Sequence, residues 1–245
     1  MVPMDEPILN LIKTDYRWRM SMQITPRLER ETAREYAFRM IKENIVCLEL
    51  LPGSMVSESE LSAEMGLSRT PVREALIELG KLHLIEIYPQ KGSFISLIDS
   101  EIVEEARFLR LVLEKAMVEE ICDFQEEQAL LPMKENLRLQ EFYLQQKSPS
   151  QLLNLDNEFH RLLFVIAKKE HIYQLLAGIT IHFNRARRLA LFCNRDMNIV
   201  SEHKAMLEAM ENKDRQLATS ILTEHLEHYK VDEKALKEKY PNYFK

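Results

Sequence analysis

Glycine and cysteine are scarce in this chain, and neither sign of charge dominates. Its 245 residues include five glycines and three cysteines, and the formal net charge is −6. The cysteines are far apart and form no CxxC pair, which excludes a disulfide framework and fits a reducing cytosol. No apolar run approaches the ~20 residues that span a bilayer, and Asp5 and Glu6 precede any apolar run, unlike a signal peptide. We therefore expect a cytoplasmic protein with no membrane segment.

The few glycines divide the chain into two parts. Four of the five lie between residues 53 and 92, so several tight turns are expected there. From residue 93 onward there is one glycine, and prolines fall between long periodic segments, which indicates helices joined by short connections. This pattern predicts a mainly α protein. The expected units are an N-terminal arm (1–24), a turn-rich domain (25–98), an all-helical bundle (99–232) and a C-terminal tail (233–245).

Helix start and stop signals in the turn-rich domain predict a helix-turn-helix. Ser57 and Glu60 have the spacing of a capping box at a helix start. Gly66 is suited to the left-handed residue that ends this helix. Ser68 then caps a second helix, with Pro71 in its first turn, where no backbone donor is lost. Two helices separated by so short a turn are typical of a helix-turn-helix.

The sequence period changes from helical to alternating after His83. The segments LIEIY and SFISL alternate in the manner of strands, and the turn PQKG lies between them. Two short strands directly after a second helix predict a wing.

The start of the second helix carries the residue types that read DNA. Arg69 and Arg73 are one helical turn apart and share a face. N-terminal residues of a recognition helix meet base edges, and arginine bonds guanine with two donors. Bulk charge does not support DNA binding, since residues 25–98 hold nine cationic and eleven acidic side chains. The prediction therefore rests on position. The expected DNA contacts are Ser68, Arg69, Thr70, Arg73, Lys91 and Gly92.

The segment SRTPVREAL, followed by a glycine in the wing, closely resembles the winged helix of GntR-family regulators. The resemblance implies that Ser68, Arg69, Thr70 and Arg73 contact an operator, with Gly92 at the wing tip. One position departs from the pattern. Many members have an arginine one residue before the Glu-Leu of the first helix of the motif, and here that position is Ser59. The half-site sequence is therefore not carried over.

Polar residues on apolar helical faces indicate a buried site in the second half. Asp156 and His160 are four residues apart, so their side chains converge. His203 and His225 lie on apolar faces of later helices. One such histidine is more usually an ordinary core residue, but four unpaired polar groups would cost several kcal/mol each. Sharing one divalent cation would satisfy all four, and zinc, nickel and manganese all accept such ligands.

The Asp-x3-His pair followed by two later histidines resembles the FCD domain, the all-helical effector domain of one GntR branch. The phrases LDNEFHRLLF and ATSILTEHLEHY are similar to that domain throughout. The resemblance implies that Asp156, His160, His203 and His225 hold a metal such as zinc, nickel or manganese.

The segment RFLRLVLE resembles the first helix of the same domain, whose arginine often faces the metal pocket. The resemblance implies that Arg110 clamps an acidic effector. The alternative is an ion pair with Glu114, since a buried arginine requires a carboxylate partner. Further candidates for the effector pocket are His182, Asn184 and Arg188.

Together these patterns predict a homodimeric transcription regulator. It would bind a two-fold operator in double-stranded DNA and respond to a small organic acid bound at a divalent metal. One alternative is the same regulator with no metal in its pocket. A second is a metal-dependent hydrolase, because a site of three histidines and one aspartate can activate water. The chain has no HExxH, no GxSxG and no phosphate loop, so we do not expect an enzyme.

Overall fold

The computed structural model describes residues 22–124, 127–193 and 198–245. Over these residues the chain forms nine α-helices and one three-stranded sheet, which confirms the mainly α fold. Most of the predicted N-terminal arm, residues 1–21, lies outside the described ranges. Among the described helices, none is both long and apolar enough to cross a membrane.

Three helices and three short strands make the N-terminal domain. They are α1 (Ala33–Val46), β1 (Met55–Val56), α2 (Glu58–Met65), α3 (Arg69–Lys81), β2 (Ile85–Tyr88) and β3 (Gly92–Ile95). Helix α1 begins at Ala33 because Thr32 and Glu35 form a capping box ahead of it. The Thr32 hydroxyl accepts from the Glu35 amide at 3.2 Å, and the Glu35 carboxylate accepts from the Thr32 amide at 2.8 Å.

The sheet has the order β1-β3-β2, with both pairs antiparallel, and its β2–β3 hairpin is the predicted wing. Ile85 lies opposite Ile95, and both are buried at the base of the hairpin. Ile87 is half exposed, because the rest of β2 extends past the helices into solvent. Strand β1 was not expected from the sequence, since a two-residue strand has no detectable period.

Six helices build the C-terminal domain. They are α4 (Ser100–Phe124), α5 (Leu131–Gln145), α6 (Pro149–Ile166), α7 (Glu170–Cys193), α8 (Ile199–Glu211) and α9 (Arg215–Lys239). Asp99 provides the start signal for α4, where its carboxylate accepts from the Glu101 amide at 3.0 Å. Helix α4 packs against α6, α7 and α9, and α5 packs against α6 and α8. A single apolar cluster fills the space between these helices, and helix α7 also packs against α1 of the other domain.

The last residues of the chain pack on the linker between the two domains. Helix α9 continues to Lys239, well into the segment expected to be a tail. Beyond it, the Tyr243 carbonyl accepts from the Ile98 amide at 2.8 Å, and the Ile98 carbonyl accepts from the Lys245 amide at 3.0 Å. Phe244 is buried beside this parallel bridge. The Lys245 ammonium lies 3.1 Å from a carboxylate oxygen of Asp99.

Candidate DNA interface and metal centre

Helices α2 and α3 have the predicted helix-turn-helix arrangement. Gly66 ends α2 in the left-handed conformation, with φ of 65°, and α3 begins three residues later. The predicted capping box at Ser57 and Glu60 is wrong. Ser57 occupies the N-cap position, but its hydroxyl makes no cap bond and lies 2.7 Å from the hydroxyl of Ser59. The Ser57 hydroxyl thus contacts the serine that departs from the family pattern rather than the backbone of α2.

The predicted DNA-reading residues lie on the exposed start of α3. Arg69, Thr70 and Arg73 are exposed, while Val72 and Leu76 are buried on the opposite face. Ser68 occupies the predicted N-cap position with an extended backbone, but the predicted cap is wrong, since its hydroxyl makes no hydrogen bond to the helix. The exposed face therefore presents two hydroxyls, two guanidinium groups and the free amides of a helix N-terminus, which together suit a phosphate or a base edge.

An ion pair that the sequence reading missed holds Arg73. Its Nε and Nη2 atoms each donate to a different carboxylate oxygen of Glu58, both at 2.9 Å. The hydrogen bond from Arg73 lowers the pKa of Glu58 and raises that of Arg73, so the pair is ionised at neutral pH. Glu58 thereby fixes the orientation of the guanidinium and leaves Nη1 outside the pair. The only sequence signal was an acidic residue in the first turn of the preceding helix.

The wing tip presents Lys91 and Gly92 to solvent. The Lys91 amide donates to the Tyr88 carbonyl at 3.1 Å and closes the turn. Gly92 has φ of 114°, a conformation that residues with a Cβ rarely adopt. The backbone of the turn therefore requires the predicted glycine. Lys91, beside it, supplies the positive charge of the wing tip.

The four predicted metal ligands meet inside the helical domain. Asp156, His160, His203 and His225 are all buried, and each offers a ligand atom within 4.8 Å of the others. The Asp156 Oδ1 atom lies 3.9, 3.7 and 3.9 Å from the Nε2 atoms of the three histidines in chain order. Helix α6 supplies two of these side chains, and α8 and α9 supply one each. The cluster therefore joins three helices at one point.

Each imidazole is oriented from behind by an acceptor. The Nδ1 atoms of His160 and His225 donate to Glu114 and Glu202, each at 2.7 Å. The Nδ1 atom of His203 donates to the Gln140 side-chain oxygen at 2.8 Å. These bonds place the proton on Nδ1 and leave an Nε2 lone pair directed into the cluster, as in metal-ligating histidines. The sequence reading missed Gln140 and Glu202, because no spacing rule connects them to distant histidines.

Burial controls the ionisation of His160 and His203, whereas neighbouring groups control that of Asp156. Burial lowers the pKa of His160 to about 4 and that of His203 well below its usual value, so both rings are neutral at pH 7. Burial is the largest single influence on Asp156 and favours the neutral acid, but Arg187, His160 and His203 together outweigh it, and the pKa of Asp156 stays well below its usual range. Neutral imidazoles beside an ionised carboxylate are the protonation states that a divalent cation requires.

Whether a metal fits the cluster is judged from its buried polar atoms, several of which have no hydrogen-bond partner among the described residues. They are the Nε2 atom of His203 and both carboxylate oxygens of Asp156. The Nε2 atoms of His160 and His225 are only 3.1 Å apart. With Nδ1 protonated on each ring, this contact brings two lone pairs together, and a shared cation removes the conflict. The donor set fits zinc, nickel or manganese.

The guanidinium group of Arg187 places a positive charge beside the cluster. Arg187 Nη2 is 2.5 Å from Asp156 Oδ1, outside hydrogen-bond geometry but close enough to neutralise the carboxylate. The Cζ atoms of Arg187 and Arg110 lie 5.5 and 5.1 Å from the centre of the Phe183 ring. Two guanidinium groups thus contact one aromatic ring next to the predicted metal ligands.

Among the predicted effector contacts, Arg110 is linked to the metal cluster by hydrogen bonds. Its Nε atom donates to Glu114 at 2.7 Å, and the other Glu114 oxygen accepts from His160. The ion pair considered as an alternative is therefore present. The buried Nη1 atom of Arg110 has no hydrogen-bond partner in the described structure. The pair does not use every donor of Arg110, and an anion could still bind there.

The other three effector candidates lie on α7 and have different surroundings. His182 faces the N-terminal domain, where its Nε2 atom donates to the Leu82 carbonyl at 2.8 Å. Arg188 donates to the Ser150 hydroxyl at 2.7 Å and so connects α7 to α6. Asn184 is half-buried, and its side-chain oxygen has no hydrogen-bond partner among the described residues. The structure thus brings Arg110 to the cluster through Glu114 and directs His182 towards the other domain.

Comparison with known proteins places both halves of the chain in described families. Residues 33–95 match the gntR family of bacterial regulatory proteins, and residues 105–228 match the FCD domain. These families consist of transcription regulators rather than enzymes. The domain boundary implied by the two matches falls in the same region as the linker around Ile98.

Individual relatives and solved structures agree with these matches. An uncharacterised HTH-type transcriptional regulator in an unstable DNA locus of Streptomyces ambofaciens is 31% identical over 204 residues, which cover 80% of this chain and 82% of the relative. The HTH-type transcriptional repressor RspR of Escherichia coli (strain K12) is 25% identical, with 87% and 94% covered. The structure of E. coli McbR/YncC superposes with a TM-score of 0.70 at 17% identity, covering 85% of this chain and 99% of that one. The chain belongs to the GntR family of DNA-binding transcriptional regulators, in the branch that carries an FCD domain.

Proposed function

We propose that this regulator binds its operator as a homodimer in the cytoplasm and that a small organic acid, bound beside a divalent metal, controls its DNA affinity. The observation that carries the proposal is the convergence of imidazole lone pairs on the buried carboxylate of Asp156, whose oxygens accept no hydrogen bond among the described residues. Such a set of ligands is costly to bury unless a cation is shared. Zinc, nickel and manganese remain equal candidates.

Asp156, His160, His203 and His225 would hold the metal. When bound, the metal would supply a positive centre that attracts the carboxylate of an effector. Arg110 would orient that anion through its unpartnered Nη1 donor, while Glu114 holds the rest of the guanidinium in place. Asn184, Arg188 and His182 are weaker candidates for effector contacts, and His182 is already engaged by the other domain.

Elemental analysis of the purified full chain tests the metal. We expect about one zinc, nickel or manganese ion per chain, and a strong loss of metal in His160→Ala and in His203→Ala. The exposed His171→Ala is the matched control and would keep its metal. A wild-type protein with far less than one metal per chain after reconstitution would contradict the metal and favour the pocket without metal. The ion pair between Arg187 and Asp156 supports that second candidate, because it neutralises the carboxylate without a metal.

Operator binding would use the exposed start of α3 and the wing tip. Ser68, Arg69, Thr70 and Arg73 would enter the major groove, and Lys91 and Gly92 would approach the backbone beside it. A gel-shift assay with genomic fragments tests this reading. We expect a sequence-specific band that the double variant Arg69→Ala with Arg73→Ala loses. Full binding by that variant, or the absence of any specific band with the wild type, would contradict it.

A second copy of the chain would cover apolar side chains on α4 and α7. Phe108 and Val112 on α4 are 61% and 48% exposed, and Leu175 and Ile179 on α7 are 81% and 42% exposed. Each pair is four residues apart on a helix, and the two helices pack together. A two-fold operator requires two recognition helices, so a second copy is the expected occupant. Sedimentation of Phe108→Glu with Leu175→Glu tests this: a dimer of wild-type stability would contradict the assignment.

A further inference from the structure

Two neighbouring side chains of α7 reach across to the DNA-binding domain. The Nε2 atom of His182 donates to the Leu82 carbonyl at 2.8 Å. Arg185 lies one turn further along the helix and donates through Nη2 to the Ser96 carbonyl and through Nη1 to the Ser96 hydroxyl, the latter at 3.3 Å. The two contacts join residues about a hundred positions apart in sequence, so they are tertiary links between the domains rather than local ones.

Burying the charged side chain of Arg185 costs folding free energy. Its side chain is fully buried, and its described hydrogen bonds go to a serine rather than to a carboxylate. Its Nε atom has no hydrogen-bond partner in the described structure. Burial lowers the pKa of the guanidinium to about 9, so it still carries its charge at pH 7. Apolar side chains fill such a space at lower cost, so packing alone does not account for a buried cation at this position.

The carbonyl groups that these side chains bind belong to the two elements expected to meet DNA, the recognition helix and the wing. Leu82 is the C-cap of the recognition helix α3, and a donor at its carbonyl suits the negative end of that helix. Ser96 directly follows β3, the second strand of the wing. The Ser96 hydroxyl also donates to the His83 carbonyl at 2.6 Å, so the end of the helix and the base of the wing are joined to each other.

The same helix touches the predicted metal centre. Arg187, two residues after Arg185, lies 2.5 Å from Asp156 Oδ1. Ile181, directly before His182, is buried in the apolar core of the DNA-binding domain. Helix α7 therefore contacts the DNA reader through Ile181, His182 and Arg185, and the metal cluster through Arg187.

We propose that Arg185 and His182 are positioning residues for DNA recognition. Through them α7 fixes the direction in which the recognition helix and the wing leave the effector domain. In a dimer this direction sets the distance between the two recognition helices, and hence the half-site spacing that the protein accepts. The inference rests on the proposed homodimeric operator binding.

Half-site spacing is the readout, because a side chain that only adds stability would not change it. The wild-type full chain first selects its operator from a pool of random duplexes. Fluorescence anisotropy then measures the affinity for that operator, for versions with one or two base pairs added or removed between the half-sites, and for a single half-site. We expect the wild type to prefer one spacing by about tenfold or more, within the usual range of coupling between sites.

Arg185→Met is expected to lose most of the spacing preference while its affinity for a single half-site is unchanged. Arg185→Lys, which keeps a cationic donor, is expected to recover part of the preference. The matched control is Arg138→Met on the exposed face of α5, which is expected to behave as the wild type. If Arg185→Met does not fold, His182→Leu makes the same test, and His182→Gln, which places a donor near the position of Nε2, is its rescue.

The outcomes separate this inference from the proposed function. A wild type that selects no sequence would overturn the proposed function and the inference with it. A wild type that selects a sequence but tolerates all spacings equally would overturn the inference alone. So would a folded Arg185→Met or His182→Leu variant with the wild-type spacing preference. Loss of the preference in these variants, with recovery in Arg185→Lys or His182→Gln, would support it.

Discussion

Replacing Gln140 by leucine would test whether the predicted metal site depends on the groups behind its ligands. Gln140 is buried on α5, and its side-chain oxygen accepts from Nδ1 of His203 at 2.8 Å. Its amide nitrogen donates to Asn136 at 2.6 Å, and Asn136 in turn donates to the Leu155 carbonyl at 3.0 Å. The amide thus anchors one imidazole to the backbone of α6. Leucine has a similar size but accepts nothing, so the ring loses both its orientation and its fixed proton position.

The expected effect is a zinc affinity weakened by about ten- to a hundredfold, the usual cost of removing such a partner. That range corresponds to about 1.4–2.8 kcal/mol of binding free energy. At a free zinc concentration a hundred times the wild-type Kd, zinc stabilises the wild type by about 2.7 kcal/mol. A variant with a hundredfold weaker site would gain only about 0.4 kcal/mol under the same conditions.

Competition with a chromophoric chelator gives the Kd directly, and thermal unfolding with and without zinc checks the stabilisation. The metal-free melting temperature is measured separately, because the substitution also leaves the buried Nδ1 of His203 unpaired. Gln145→Leu on the exposed side of the same helix is the matched control and is expected to bind zinc as the wild type does. Wild-type zinc affinity in a folded Gln140→Leu variant would refute the reasoning that hydrogen bonds behind the ligands prepare this site.

Three further substitutions probe other parts of the molecule. Glu58→Gln releases Arg73 and removes a negative charge, so affinity for mixed-sequence DNA is expected to rise. The slope of log binding constant against log salt concentration is expected to steepen by about one. Fluorescence anisotropy between low and moderate salt measures both, and an unchanged slope would contradict the idea. Burial lowers the pKa of His182 below its unfolded value of 6.5, so the unfolded chain takes up the proton first and the wild type loses stability as pH falls below that value. His182→Gln is expected to flatten this loss in urea titrations at pH 7 and 5.5; an equally steep loss would rule out His182 as its source. Phe244→Ala is expected to destabilise the chain by about 3 kcal/mol, the low end for a buried phenylalanine, and a urea midpoint equal to that of wild type would show that its packing on the linker contributes nothing.

Local rules predicted those parts of the molecule whose signals lie close together in sequence. Gly66 predicted the turn between α2 and α3, Ser68 marked the start of α3 without capping it, and the change of period after His83 predicted the wing. The four metal-site candidates were found because each is a polar residue on an otherwise apolar helical face. In each case a few neighbouring residues carry the information, and the tertiary structure does not override it.

Most of the remaining features depend on contacts between distant segments. The role of His182 depends on the Leu82 carbonyl, and the orientation of His203 depends on Gln140, and no spacing rule relates these pairs. The capping-box prediction at Ser57 failed: the Ser57 hydroxyl lies against the neighbouring Ser59 hydroxyl and makes no bond to the helix backbone. Where a polar group has several possible hydrogen-bond partners, packing determines which one it takes, and a single sequence does not reveal that packing.

The bridge between Ile98 and the last residues of the chain has a consequence for protein engineering. The linker is not a free tether, because the Ile98 backbone bonds to Tyr243 and Lys245, and Phe244 packs beside it. A chimera that exchanges the DNA-binding domain at the linker would therefore separate Ile98 from the C-terminal residues with which it pairs. Grafting the reader of a relative would require the linker and the residues after α9 to be transferred together. The two domains are adjacent modules in sequence, but they are joined in space by three segments: the linker, α7 and the C-terminal residues.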